Sequence, residues 1–250
     1  MNLKDPKNSI LSDICNSAIK NKKRNLNQDC QDFLQLHNIR YYIKTLAKPL
    51  EDIPTLVAVN HYCRPLVRRK SLFTTLDSII TTSLATVAHS KVSKRQITWV
   101  AKNDLKTNIL FFSVKVRKVQ LAVIKVYDLL SVGKHYPFNN KNKWVYFLKN
   151  GCDIGFYPEA VIGTKMRPAK ANFQDMLYFL KQQNIKFQVL PVTIYQKGGT
   201  FYVVITKTIK SSQNADEIAS QTMLTLAGSL PKNLRGYYEK AVSSSATTGR

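Results

Sequence analysis

Acidic residues are scarce in this chain of 250 residues, where 15 Asp and Glu stand against 38 Lys and Arg. The resulting formal charge of +23 excludes an acidic or neutral surface overall. A field of this sign attracts polyanions, namely nucleic acids, anionic lipid headgroups or an acidic carrier protein. The charge alone does not choose among these three classes of partner.

Paired cysteines and long apolar runs are also missing. The four cysteines form no Cys-x-x-Cys pair and have no histidine at ligand spacing, which argues against a zinc site or a disulfide framework and predicts reduced thiols. No window holds 18 uninterrupted apolar residues, so no membrane-spanning helix is predicted, and the polar N-terminus does not resemble a signal peptide. A hydrophobic content of 44% nevertheless predicts a folded globular protein.

Three regions differ in composition. Residues 1–31 are predicted to form a basic, polar arm, residues 32–242 the folded domain, and residues 243–250 a disordered Ser/Thr/Ala-rich tail. Apolar residues recur at helical spacing at the start of the domain, which predicts an amphipathic helix over residues 32–50. This helix could cover the core or dock its basic face on anionic lipid, and the spacing leaves both open.

Apolar strand patterns alternate with helical patterns through the rest of the domain. Strands are predicted over residues 56–61, 97–101, 119–126, 152–157, 187–195 and 201–207. Helices are predicted over residues 74–87, 106–118, 144–149, 171–183 and 214–228. This alternation predicts a single α/β domain in which helices flank a mixed β-sheet.

The first of these strands ends on a histidine. Leu56 to Val59 form a buried apolar run, and Asn60-His61 follow where the chain must leave the sheet. The carboxyl end of a strand is where open α/β sheets form their ligand crevice. An imidazole there can take a proton from a hydroxyl, although a single strand-end histidine is more often structural.

Four short motifs, taken in order, resemble those of the glycerolipid acyltransferase family. Asn60-His61 with Asp77 is similar to its Asn-His-x4-Asp motif, and Lys102 follows a strand as in the second motif. Residues 157–160 (Tyr-Pro-Glu-Ala) resemble Phe-Pro-Glu-Gly, and residues 190–192 (Leu-Pro-Val) resemble Val-Pro-Val. The resemblance covers roughly residues 50–210.

The sequence departs from the family pattern at several points. His61 and Asp77 lie sixteen positions apart instead of five, so residues 63–73 form an insertion inside the first motif. Ala160 replaces the family's glycine, and Thr164-Lys165 stand where the family has a Thr-Arg pair. A loop of this length can bulge outward at modest entropic cost and leave its two ends in place.

The resemblance implies a glycerol-3-phosphate acyltransferase-like fold and direct acyl transfer. A thioester donor, acyl-CoA or acyl carrier protein, would acylate the hydroxyl of 1-acylglycerol 3-phosphate to give phosphatidic acid, without a further cofactor or a metal. His61 would be the general base, and Asp77 would orient its ring. The implied substrate-binding residues are Glu159, Thr164, Lys165 and Lys102.

Simpler interpretations exist for several of these residues. Asp77 is also a good helix N-cap, and Glu159 could be a solvated loop carboxylate. The basic loop residues Arg64, Arg68, Arg69 and Lys70 could be solvated, or they could contact an anionic membrane or an acidic acyl donor. Interleaved apolar residues favour the contact, which predicts a peripheral protein on the cytoplasmic face of a membrane.

Two other functions compete with this hypothesis. The acceptor could be a different lysophospholipid, or the altered first motif could mark a non-catalytic relative that binds anionic lipid. A nucleic-acid partner is not expected, because the sequence contains no zinc finger and no RNP-like aromatic motif. The sequence specifies neither the acyl length, the donor, the acceptor headgroup nor the oligomeric state.

Overall fold

A mixed β-sheet lies at the centre of the molecule. The computed structural model describes residues 9–64, 71–102, 121–132 and 141–245. Within these ranges the sheet has eight strands, in the order β1-β7-β6-β2-β5-β3-β4, with β8 paired to β6. The strands are β1 Tyr41–Thr45, β2 Thr55–Val59, β3 Gln96–Lys102, β4 Leu130–Val132, β5 Cys152–Phe156, β6 Gln188–Lys197, β7 Thr200–Ile205 and β8 Ile209–Lys210.

Helices cover both faces of this sheet. They are α1 Ser9–Ile19, α2 Leu26–Leu36, α3 Ser71–Ser90, α4 Lys141–Lys149, α5 Ala171–Gln182, α6 Ala215–Gly228 and α7 Glu239–Ser245. Residues 121–126 are also helical, and two short 3₁₀ helices precede α7, at Lys232–Leu234 and Gly236–Tyr238. The predicted single α/β domain with a mixed sheet flanked by helices is therefore confirmed.

β2 is the central strand, and all five of its residues are fully buried. Its neighbours β5 and β6 both run parallel to it, so no edge of the strand meets solvent. Since side chains alternate along a strand, Leu56 and Ala58 pack beneath α4, α5 and α6, whereas Val57 and Val59 pack beneath α2 and α3. The apolar run noted in the sequence therefore packs into a hydrophobic core on each face of the sheet.

The N-terminal region differs from the predicted arm and helix. α2 buries Cys30, Phe33 and Leu34 against the core to which α3 also contributes. The folded domain therefore includes residues that were predicted to belong to the arm at 1–31. The helix predicted over residues 32–50 ends at Leu36, near Asn38, which adopts a left-handed backbone with φ of 50°. The chain then forms β1, which pairs in parallel with β7.

A second correction concerns residues 119–126, which were predicted as a strand. Residues 121–126 are helical, and Ala122 and Val126, four positions apart, pack on Ile14 and Ala18 of α1. The helix predicted over residues 106–118 lies outside the described residues. Residues 243–245 of the predicted disordered tail end α7, and the rest of that tail also lies outside the described part of the chain.

α3 begins earlier than the sequence predicts. Its first residue is Ser71, so Asp77 lies in the second turn of the helix and is not its N-cap. The helix predicted over residues 214–228 is confirmed as α6, and a capping box formed by Asn214 and Glu217 starts it. None of the helices in the described ranges is both long and apolar enough to cross a bilayer.

A buried carboxylate at the amino end of the sheet ties β2 to β5. Oδ1 of Asp153, which is fully buried, accepts hydrogen bonds from the Thr55 amide and from Arg95 Nε, both at 2.9 Å. Its Oδ2 lies 2.8 Å from His89 Nε2 and accepts from Ser93 Oγ at 3.1 Å. This network helps to fix the relative register of the two strands whose opposite ends carry the candidate site.

Candidate functional site

The carboxyl ends of β2 and β5 bring His61 and Glu159 together. The strands are parallel neighbours, with Leu56 opposite Ile154, so the residues that follow each strand emerge at the same edge of the sheet. The main-chain N–H of His61 donates to Glu159 Oε1 at 3.0 Å. The two strand ends singled out in the sequence are therefore in direct contact.

Glu159 joins this edge to the segment that follows it. Its Oε2 accepts from the main-chain N–H of Arg167 at 2.7 Å, and the residue is only 2% exposed. Burial raises the pKa of the carboxyl to about 7, although the two main-chain hydrogen bonds act in the opposite direction. Both oxygens are engaged by the protein's own backbone, which is a different environment from the solvated loop considered from sequence.

The segment after Glu159 adds a short parallel bridge beside His61. The Gly163 N–H donates to the carbonyl of His61, and the Cys63 N–H donates to the carbonyl of Gly163, both at 2.9 Å. Tyr62 and Gly163 are the paired residues of this bridge. The loop that contains Thr164 and Lys165 is thereby held against the histidine.

Asn60 continues the pairing of β2 with β6 where the main-chain ladder ends. Its side-chain amide donates to the carbonyl of Ile194 at 2.9 Å, and its Oδ1 accepts from the Ile194 N–H at 2.7 Å. The side chain is buried and makes both hydrogen bonds that a strand residue would make. In the Asn-His pair, the asparagine therefore fixes the position of the strand end.

The imidazole of His61 stacks on Tyr157, with ring centroids 4.2 Å apart and an angle of 18° between the rings. Its Nε2 lies 3.3 Å from Ser78 Oγ. Its Nδ1 is buried and has no hydrogen-bond partner among the described residues. Because burial disfavours the charged ring, the pKa of His61 falls to about 4, and the imidazole is neutral at physiological pH.

Tyr157, which stands where the family has phenylalanine, packs against one face of this ring. Its hydroxyl lies 2.7 Å from Thr82 Oγ1 on α3, and burial raises its pKa to about 12, so the phenol stays protonated. Trp99 of β3 packs beside it and covers Gly155, where a Cβ atom would lie 2.6 Å from the indole ring. Gly155 therefore allows the indole to reach the position from which it supports Tyr157.

The hydrogen bond predicted between His61 and Asp77 is not formed. Asp77 is 2% exposed, and Arg64 engages both of its oxygens: the Arg64 N–H donates to Oδ2 at 2.9 Å and Nε donates to Oδ1 at 2.7 Å. The insertion in the first motif thus supplies its own cation to the aspartate. Arg64 was predicted to contact a membrane or an acidic donor, but its guanidinium is held by this ion pair.

A narrow cleft with a cavity volume of about 10 Å³ opens beside the histidine. Its lining residues are Asn60, His61, Tyr62, Glu159, Gly163, Thr164, Lys165, Met166, Leu230 and Leu234. Four residues predicted from the sequence, His61, Glu159, Thr164 and Lys165, are therefore brought to one cleft. Lys102 ends β3 at the same end of the sheet, while Arg68, Arg69 and Lys70 lie outside the described residues.

Several residues of the site could not be identified from the sequence patterns described above. Ser78 follows Asp77 directly, but its contact with His61 depends on the helix beginning at Ser71. Arg167 contributes a main-chain N–H, for which residue type gives no clue. Leu230 and Leu234 are separated by four positions after α6, and this spacing is the one pattern that could have identified an apolar wall.

The arrangement can support proton transfer. His61 is one of the residues that line the polar cleft, and the exposed side chains of Lys165 and Arg167 add positive charge near it. A neutral imidazole can accept a proton, although burial makes this one a weaker base than a solvated histidine, and a lysine with a threonine hydroxyl can bind an anionic oxygen. The residues around the cleft therefore bring a proton acceptor close to groups that can bind an anionic oxygen.

The fold described above is that of a glycerolipid acyltransferase whose structure has been solved. The chain is similar to the crystal structure of the 1-acyl-sn-glycerophosphate (LPA) acyltransferase PlsC from Thermotoga maritima, with a TM-score of 0.50 and 14% sequence identity. The match covers 90% of this chain and 79% of that one. No protein-family model and no curated protein matches the sequence. At this identity the likeness establishes the fold alone.

Proposed function

We propose that this protein is an acyltransferase that moves a fatty acyl group from acyl-CoA or acyl carrier protein to the hydroxyl of 1-acylglycerol 3-phosphate, giving phosphatidic acid. The observation that carries the proposal is the position of His61 at the carboxyl end of β2, where it lines one cleft with Glu159, Thr164 and Lys165. The proposal is also supported by the fold, because the solved structure that shares it is named as an LPA acyltransferase.

In the reaction, His61 acts as the general base. Its ring takes the proton from the acceptor hydroxyl while the oxygen attacks the thioester carbonyl carbon, so a C–O bond forms and the oxygen of the carbonyl becomes an oxyanion. Collapse of this intermediate breaks the C–S bond. The proton held by the imidazolium passes to the departing thiolate, which restores the neutral ring. The step needs no metal and no cofactor other than the acyl donor.

Lys165 and Thr164 bind the acceptor phosphate in this proposal. A lysine pairs with phosphate as a point charge and lacks the bidentate fork of arginine, which the family has at this position. Lys102, at the same end of the sheet, is proposed as a further phosphate contact. Glu159 acts on the acceptor indirectly, because its oxygens hold the main chain at His61 and Arg167.

We place the protein on the cytoplasmic face of an anionic membrane, where its lipid acceptor resides. The net charge of +23 favours attraction to anionic headgroups. The basic segment that contains Arg68, Arg69 and Lys70 is proposed to add to this attraction. A different lysophospholipid with an anionic headgroup would satisfy the same cleft and remains the nearest alternative acceptor.

A second candidate function is lipid binding without catalysis. The observation that favours it is the engagement of Asp77 by Arg64, which leaves His61 Nδ1 without a hydrogen-bond partner in the described ranges. A catalytic imidazole normally has this nitrogen oriented by a carboxylate or carbonyl. In this alternative the cleft would hold a lysophospholipid that is never acylated.

Transfer of labelled oleoyl groups to lysophosphatidic acid tests both functions. We expect the wild type to form phosphatidic acid, His61→Ala to lose at least a hundredfold in kcat, since general-base catalysis contributes roughly 10²–10⁴-fold, and Lys165→Gln to raise KM. Lys170→Gln, the same exchange on an exposed lysine five positions along, is the matched control. Equal activity in wild type and His61→Ala would refute the mechanism. Retained lysophosphatidic acid binding without turnover would instead support the binding function.

A further inference from the structure

Three tyrosines form a row across the outer part of the sheet. Tyr42 of β1 lies opposite Tyr202 of β7, which lies opposite Tyr195 of β6. The Tyr195 and Tyr202 rings stack with centroids 5.3 Å apart, and the Tyr42 ring meets Tyr202 edge-on at 6.3 Å. α6 covers the neighbouring row at Thr193, but Tyr42 is 58% exposed. This end of the sheet face is therefore left open.

Basic residues flank the tyrosines on the same face. Since Ile43 points to the core, the alternation along β1 places Arg40, Tyr42, Lys44 and Leu46 on the opposite side, where all four are exposed. Lys197 ends β6 beside them. We call this surface the tyrosine–lysine face, formed by Arg40, Tyr42, Lys44, Leu46, Lys197 and Tyr202. No aspartate or glutamate occurs between residues 37 and 50 or between residues 187 and 213.

The tyrosine–lysine face adjoins the candidate site. β6 is parallel to β2 and continues beyond it, so Tyr195 lies at the end of the sheet that carries His61. Tyr195 packs against an apolar cluster that contains Met166 and Leu230, and both of these residues line the cleft. A surface bound at the tyrosine–lysine face would consequently lie next to the opening of the cleft.

We propose that the tyrosine–lysine face is the surface by which this protein docks on an anionic lipid bilayer, an inference that rests on the proposed function for its biological purpose. Tyrosine suits the bilayer interface because its ring is apolar and its hydroxyl is polar. Arg40, Lys44 and Lys197 complement anionic headgroups, and the exposed Leu46 adds an apolar contact.

A single-stranded nucleic acid is the competing partner for aromatic residues on a basic sheet. Its bases bind by stacking on open ring faces. Tyr202 is flanked by a ring on either side, stacked on Tyr195 and in contact with Tyr42, so its ring is already occupied within the sheet. The ring geometry therefore favours the bilayer.

Co-sedimentation with phosphatidylcholine vesicles, with and without phosphatidylglycerol, tests the proposal. We expect wild type to bind only the anionic vesicles, less so at high salt. The double variant Arg40→Gln/Lys44→Gln should bind about fivefold more weakly for each cation removed. Lys91→Gln/Lys94→Gln removes two exposed cations at the opposite end of the sheet and should bind as wild type. Tyr42→Ser should also weaken binding, whereas Tyr146→Ser, at an exposed position of α4, should not.

Acyl transfer to a short-chain, monomeric lysophosphatidic acid separates this proposal from the proposed function. Variants of the tyrosine–lysine face should retain wild-type rates on this soluble acceptor and lose rate only on vesicles. Equal vesicle binding by face variants and control variants would overturn the docking surface. If the face variants lost binding to a single-stranded oligonucleotide while their vesicle binding stayed unchanged, the face would be assigned to nucleic acid and the docking proposal would be overturned. Absence of acyl transfer in every protein, with the expected pattern of vesicle binding, would refute only the proposed function.

Discussion

The main-chain N–H of His61 donates to Oε1 of Glu159 at 3.0 Å, and burial shifts the pKa values of these two neighbours in opposite directions. The pKa of Glu159 rises from 4.5 to about 7, whereas that of the His61 ring falls from 6.5 to about 4. Both side chains are therefore neutral in the folded protein between about pH 4.5 and 6.5. In the unfolded chain both are charged over this interval.

This arrangement predicts opposing contributions to the pH dependence of stability. As the pH falls from 6.5 to 4.5, the contribution of Glu159 to the free energy of unfolding increases, because the folded protein already holds this proton. The contribution of His61 decreases, because only the unfolded chain takes up a proton there. Each contributes a slope of about 1.4 kcal/mol per pH unit, so the two largely cancel.

Single variants should reveal the two slopes. Relative to wild type, His61→Gln should become more stable on acidification from pH 6.5 to 4.5, and Glu159→Gln should become less stable. Urea unfolding at a series of pH values measures both, and the double variant His61→Gln/Glu159→Gln serves as the control that should follow the wild-type curve. Parallel curves for all four proteins would contradict the assigned pKa shifts.

The titration of His61 can also be observed directly. In protein labelled at its four histidines, we expect the His61 ring signal, assigned by its absence in His61→Gln, to titrate with a midpoint near 4. Burial is the cause, because it penalises the imidazolium. Nuclear magnetic resonance gives the midpoint, and a value of 6.5 or above would show that the ring is solvated or paired with a carboxylate.

Removal of the Arg64 guanidinium should destabilise the fold. Arg64→Gln leaves a carboxylate that is 2% exposed without its cation, for which we expect a loss of about 3 kcal/mol in the free energy of unfolding, at the lower end for a buried pair because Arg64 is itself partly exposed. A double-mutant cycle with Asp77→Asn, measured by urea unfolding, isolates the coupling between the two residues.

The same pair of variants tests the catalytic role that the motif resemblance implies for Asp77. If this carboxylate orients His61 during turnover, Asp77→Asn should lower kcat more than Arg64→Gln does, because only the first removes the negative charge. Equal losses in both variants would assign Asp77 a purely structural role.

Ala160 should be replaceable by glycine with a gain in stability. Its φ of 53° lies in the left-handed region, where a Cβ atom is disfavoured by roughly 1 kcal/mol, and the acyltransferase motif that it resembles has glycine here. We expect Ala160→Gly to raise the urea midpoint, and Ala241→Gly, in the right-handed helix α7, to lower it or leave it unchanged. A lower midpoint for Ala160→Gly would show that Cβ contacts outweigh the backbone strain.

Much of the fold could be predicted because the decisive patterns are local. The run from Leu56 to Val59 is buried on both faces of the sheet, so every position in it is apolar. β1 could not be found in this way, because Ile39 and Ile43 continue the helical spacing of α2, and its partner β7 lies far along the chain. The prediction at residues 119–126 was wrong because a short apolar run is compatible with either a strand or a short buried helix.

The candidate site was predicted in its main-chain positions but not in its side-chain pairing. Strand ends fix where His61 and Glu159 lie, and both were identified from the residues that follow β2 and β5. The partner of Asp77 depends on which neighbouring cation reaches it, and Arg64 reaches it from inside the insertion. No periodic pattern in the sequence indicates which cation pairs with Asp77.

The pairing of β1 with β7 also constrains the order of folding during synthesis. Tyr41 is paired with Phe201, so the strand emerges from the ribosome about 160 residues before its only neighbour in the sheet of described strands. Until then the aromatic residues of β1 have no sheet to join, and a nascent chain stopped before β7 exposes an unpaired strand to other chains. Completion of this edge is therefore among the last events in folding, and a truncation that removes β7 should leave the whole N-terminal strand prone to intermolecular pairing.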